Sequence, residues 1–152
     1  MTTAGYQALH SDVIPVIDLP NNAGTLRPIA GEFEGTTGPA HTHSPMQVWD
    51  TRLNAGGQAG FHLPDGWTAS LVVLEGAVCV NRSWPVTEGQ LVLLSRGDTS
   101  VEVHAQVPSL VLVLSGEPLN EPVVGHGPFV MNNKSEILQA FDDLENNCFG
   151  RL

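Results

Sequence analysis

From Met46 to Leu114 the chain is a succession of short apolar runs cut at close intervals by turns, and few folds accept that pattern. Met46–Leu53 alternates like a half-buried strand, and Asn54-Ala55-Gly56-Gly57 turns it. Phe61-His62-Leu63 then meets Pro64-Asp65-Gly66, where proline presets one turn dihedral and glycine accepts a positive φ. Trp67 to Leu74 forms a long apolar strand ending at Glu75-Gly76. Ala77–Val80, Leu91–Leu94, Val101–His104 and Leu110–Leu114 repeat the theme, separated by Asn81-Arg82-Ser83, Val86-Thr87-Glu88-Gly89 and Ser95-Arg96-Gly97-Asp98. Many short strands with Gly, Asn and Asp turns predict an all-β sandwich or small barrel. The continuous apolar runs predict strands covered on both faces.

Outside this core the signals are sparser. Residues 1–25 read as an N-terminal arm or edge strand, because Val13-Ile14-Pro15-Val16-Ile17 is apolar but interrupted by proline. Leu26–Ala30 reads as a short strand, and Glu32–Pro45 as a Gly-, Thr- and Pro-rich loop. One α-helix is predicted over 133–147: Asn133 caps it with Glu136 three residues on, and Ile137, Leu138, Phe141 and Leu144 share one face. At 152 residues a single domain is expected, with the barrel core at 46–115.

Sixteen acidic residues against six Lys and Arg give a formal net charge of −10, which makes nucleic acid and anionic membrane poor partners. No apolar run reaches spanning length and no signal segment is evident, so a cytoplasmic location is expected. Cys79 and Cys148 form no CxxC pattern and read as free thiols.

Beyond the barrel, Gly116-Glu117-Pro118-Leu119-Asn120-Glu121-Pro122-Val123-Val124 and Gly125-His126-Gly127-Pro128-Phe129-Val130-Met131-Asn132 resemble the segment that follows the second barrel of the pirin family. Tyr6-Gln7, Asp12-Val13-Ile14-Pro15, Trp49-Asp50, Leu53, Gly56-Gly57, Leu63-Pro64-Asp65-Gly66 and Leu74-Glu75-Gly76 agree with it in order. The resemblance implies a cupin, a double-stranded β-helix, with the C-terminal helix packed outside. Pirin-like proteins are typically bicupins whose N-terminal barrel holds a metal through three histidines and a glutamate, while the C-terminal barrel usually holds none. Only the C-terminal half is matched, and the chain starts with its own methionine where the linker into that barrel would begin, so it resembles a stand-alone C-terminal cupin.

In the first cupin motif His62 occupies a ligand place, but Pro64 stands where the second histidine is expected. In the second motif, Glu102-Val103-His104 carries both ligand types in swapped order, and strand alternation turns them to one face. His62, Glu102 and His104 could therefore form a two-His-one-carboxylate site for iron, nickel, zinc or manganese. The competing reading places Glu102 and His104 on a solvent-facing side, and the missing histidine favours it. His41 and His43, two residues apart, form a secondary metal candidate if extended, or a pair of exposed histidines. His126, between two glycines, suits a hydrogen bond to backbone, and His10 has no neighbour in sequence. Trp49, Trp67 and Trp84 fall on strand-like runs and line either the barrel or an interface.

No nucleophile or phosphate-loop motif is present. The first expectation is a non-catalytic binding or assembly module without cofactor, homodimeric because a second copy replaces the missing barrel. The alternative is a metal-dependent oxygenase or isomerase using His62, Glu102 and His104. Some pirin-like bicupins oxidise flavonols such as quercetin, an activity that the resemblance credits to the other barrel. A third reading is a small-molecule pocket in the barrel mouth.

Overall fold

Alternating apolar residues produce alternating burial along almost every strand, and that alternation builds two facing sheets. A computed structural model describes residues 5–97 and 99–148. Their contacts fall into two compact units, residues 1–118 and 119–152. In the first unit the strands are β1 (Ile17–Asp18), β2 (Gly24–Ala30), β3 (Glu32–Phe33), β4 (Thr36–Thr37), β5 (Met46–Leu53) and β6 (Gln58–His62). They continue as β7 (Thr68–Glu75), β8 (Ala77–Val80), β9 (Pro85–Thr87), β10 (Leu91–Leu93), β11 (Ser100–Ala105) and β12 (Ser109–Gly116). A six-stranded antiparallel sheet runs β1-β2-β5-β12-β7-β10, and a four-stranded sheet runs β6-β11-β8-β9. This is the cupin architecture.

Inward side chains of both sheets fill the space between them. Trp49 and Phe61 are each 1% exposed, and Leu71, Val73, Val78, Val101 and Val103 are equally buried. Phe33 packs edge-on against Trp49, with ring centroids 5.1 Å apart at 72°. Such an interior is close-packed side chain rather than a chamber. Of the three tryptophans only Trp49 lies on a strand. Trp67 and Trp84 occupy turns, the latter exposed, because the Pro64–Gly66 and Asn81–Ser83 turns extend one residue further than the apolar runs imply.

The N-terminal arm is tied across the outer face of the larger sheet. Arg27 on β2 lies 3.7 Å from Asp50 on β5, and its guanidinium donates to the carbonyl of Ser11 at 3.0 Å. Glu32–Thr37, expected as loop, folds into the small β3–β4 hairpin.

In the second unit, β13 (Val124–His126) and β14 (Phe129–Met131) form a hairpin, followed by α1 (Lys134–Glu145). The capping box is present: the Asn133 side chain accepts the Glu136 N–H at 3.0 Å, and the Glu136 carboxylate accepts the Asn133 N–H at 3.3 Å. The buried face differs from the expected stripe. Ile137 and Ala140 are buried, whereas Leu138 is 71% and Leu144 48% exposed. Alanine, not leucine, is buried beside Ile137 on this helix. His126 is not a backbone-bonding histidine; its ring meets Phe141 edge-on at 5.6 Å, and Phe129 meets the same ring at 5.1 Å.

Candidate functional site

The expected ligand strands are neighbours. On β6 and β11, His62 lies opposite Ser100, Gly60 opposite Glu102, and Gln58 opposite His104. Cross-strand partners project to the same face, so His62, Glu102 and His104 do share one side of the sheet. It is the outer side. The intervening residues Phe61, Val101 and Val103 turn inward and are at most 1% exposed. Burying these large apolar groups fixes the register, since a one-residue slip would exchange every inward side chain for an outward one.

The proposed three-residue metal site is thereby corrected. Ser100, the partner of His62, precedes His104 by four residues, so the two histidines stand about 14 Å apart along the strands. Metal–imidazole bonds are only about 2 Å long, and the two rings cannot close on one ion with Glu102. Among the described residues no group of three or more His, Cys, Asp or Glu side chains is placed to hold a metal. The inward places of β6 and β11 carry hydrocarbon and supply no ligand. His41 and His43 lie in the loop between β4 and β5 rather than on a strand, so the alternation that would aim both rings one way is absent.

What does gather on the outer face is a polar hollow of about 600 Å³, lined by Gln58, Gly60, Cys79, Arg82, Glu102 and His104. His104 pairs with Gln58 on one side and with Cys79 of β8 on the other, setting amide, imidazole and thiol in one row. Gly60 leaves the floor open; a Cβ there would meet nothing within 4 Å. Glu102 is held from two directions: its N–H donates to the Asn81 side chain at 2.8 Å, and its carboxylate lies 3.5 Å from the Arg82 Nε. Both charged side chains are well exposed, at 64% and 89%, so the pair adds little to stability. The Gln106 amide donates to the Cys79 sulfur at 3.5 Å.

Sequence reasoning identified Glu102 and His104 in this hollow and gave no site role to Cys79, Gln58 or Gly60. The β8–β11 register that brings Cys79 beside His104 joins residues 25 positions apart and leaves no local signal.

A second hollow, of about 330 Å³, lies where β5, β7 and β12 end. Gln47 and Ser115 line it, and the Gln47 Oε1 and Ser115 Oγ are buried without a hydrogen-bond partner.

The pirin C-terminal cupin domain model matches residues 48–150. The chain belongs to the pirin family. It is 47% identical over 99% of its length to a Pseudomonas aeruginosa protein provisionally named a quercetin 2,3-dioxygenase, covering 52% of that protein. Human pirin is 35% identical over 96% of the chain, which covers 51% of it. The crystal structure of a quercetin 2,3-dioxygenase from Acinetobacter baumannii superposes with a TM-score of 0.91 at 43% identity, over 99% of this chain and 52% of that one. The chain thus spans about half the length of the pirin-family relatives it matches.

Proposed function

We propose that this chain acts as the C-terminal cupin of a metal-dependent oxygenase of the quercetin 2,3-dioxygenase class, with the metal held by an adjoining cupin barrel. The relatives' names favour oxygenase chemistry over a module without catalytic context, and a metal belongs with that chemistry. One structural observation supports placing the metal elsewhere. On β6 and β11 the hydrocarbon side chains of Phe61, Val101 and Val103 face the barrel, while His62, Glu102 and His104 face out. The packed barrel gives the assembly a rigid half without offering a coordination sphere.

The test compares the 152-residue chain, purified without a histidine tag, alone and together with the N-terminal half of the Acinetobacter dioxygenase. Iron, nickel, zinc and manganese are quantified by mass spectrometry, and quercetin consumption is followed optically. The chain alone is expected to hold substoichiometric metal and to leave quercetin intact, with turnover appearing in the combined sample. One equivalent of metal with turnover by the chain alone, lost in H62A/E102A/H104A, would overturn the reading. Failure of the combined sample to turn over quercetin would overturn it too.

A further inference from the structure

We infer that two copies of this chain pair through β10, antiparallel, about a two-fold axis at Val92. This rests on the strand's own geometry and not on the chemistry proposed above. β10 is the terminal strand of the six-stranded sheet. Its partner β7 sets Leu91 opposite Val72, Val92 opposite Leu71 and Leu93 opposite Ser70. In the same register, the Val73 N–H donates to the Gln90 carbonyl and the Leu94 N–H to the Ala69 carbonyl, both at 3.0 Å. Antiparallel pairs alternate, so Gln90, Val92 and Leu94 turn their backbone groups toward β7. Leu91 and Leu93 present theirs to the open edge.

The side chains at this edge are as unusual as the backbone. Leu91 is 60% and Leu93 70% exposed, on a three-residue strand that carries no lysine or proline and follows a glycine bulge at Gly89, whose N–H donates to the Val73 carbonyl. The same outer face continues across β7 and β12 as Val72, Leu112 and Leu114. An exposed apolar edge with free N–H and C=O groups is a template for another strand.

A second copy fits that template better than an unrelated strand does. With the axis at Val92, Leu91 of one copy lies opposite Leu93 of the second, and the reverse pair repeats it. These are the residues whose backbone groups are free, so four new hydrogen bonds close. Their side chains fall on one face and touch across the junction. Glu88 and Arg96 lie in the turns that precede and follow β10, on opposite sides of Val92. The same axis therefore brings the Glu88 end of one copy toward the Arg96 end of the other, twice. In a chain of net charge −10, a segment whose flanking charges complement themselves is where two copies can meet.

The experiment is light scattering with size-exclusion chromatography at micromolar concentration. The wild-type chain is expected as a dimer, and L91K/L93K as a monomer with an unchanged circular dichroism spectrum. Leu93→Pro is a second variant: it removes an N–H that faces the edge and takes no bond from β7, and it too is expected to be monomeric. Glu88→Arg should weaken the dimer about tenfold, and E88R/R96E should restore it. A monomeric wild type, including one that pairs only with a metal-holding cupin barrel, would overturn the inference. A dimer that survives both edge variants, or one indifferent to charge reversal and its swap, would overturn it as well.

Discussion

Val103 and His104 are adjacent in sequence and differ in everything the fold asks of them. Val103 faces the barrel interior, and His104 lines the outer hollow between Gln58 and Cys79. Replacing an inward residue removes packing, so Phe61→Ala is expected to cost about 3 to 5 kcal/mol in urea denaturation. His104→Ala, by contrast, should stay within about 0.5 kcal/mol of the wild type. Equal losses in the two variants would mean that His104 carries structure not visible in its contacts. The sequence Val101-Glu102-Val103-His104 already contains this division, since large hydrocarbon at alternate positions names the inward face. What it lacks is the neighbour across the sheet. The cupin motif drew His62 toward Glu102 and His104, yet the register places His62 beside Ser100.

At the level of elements, turn chemistry was the most legible feature, and Gly76 shows why. It joins β7 to β8 at φ +82, and a Cβ there would lie 2.5 Å from the Pro108 carbonyl oxygen. Gly76→Ala is expected to destabilise the barrel by about 2 kcal/mol or more, read from the thermal midpoint with its enthalpy. The helix was equally readable at its start, where Asn133 and Glu136 cap each other. Asn133→Ala should cost about 1 kcal/mol, seen as faster hydrogen exchange in the first turn of α1. Its buried face was less readable. Spacing marks Ile137, Leu138, Phe141 and Leu144 as one stripe, but it does not say which edge of that stripe meets a neighbour. Ala140, too small to weigh in an apolar pattern, is 2% exposed. Trp84, read as lining either the barrel or an interface, sits 88% exposed in the bend between β8 and β9.

Across the whole molecule, charge and edges set the behaviour. With 16 acidic groups against 6 basic ones, the folded chain repels itself at low ionic strength. Its melting temperature is expected to rise by a few degrees as sodium chloride is brought from about 10 to 150 mM, where the screening length falls from about 30 to 8 Å. No rise would place the acidic residues in favourable pairs. The apolar runs raised the expectation of strands covered on both faces, yet Leu91 and Leu93 leave the outer face exposed at β10. That exposure is not local information, because it depends on a surface that forms only when β10, β7 and β12 come together. The six-stranded sheet ends in two unequal edges. On one side β1 is only Ile17–Asp18, with Pro15 ahead of it and Pro20 behind, so little backbone is available for another strand. On the other side β10 is open. A sheet with a single open end has a valence of one: on the pairing inferred above, a copy that joins at β10 uses the joint this sheet offers, and growth through that sheet halts at a closed pair instead of running on as a filament.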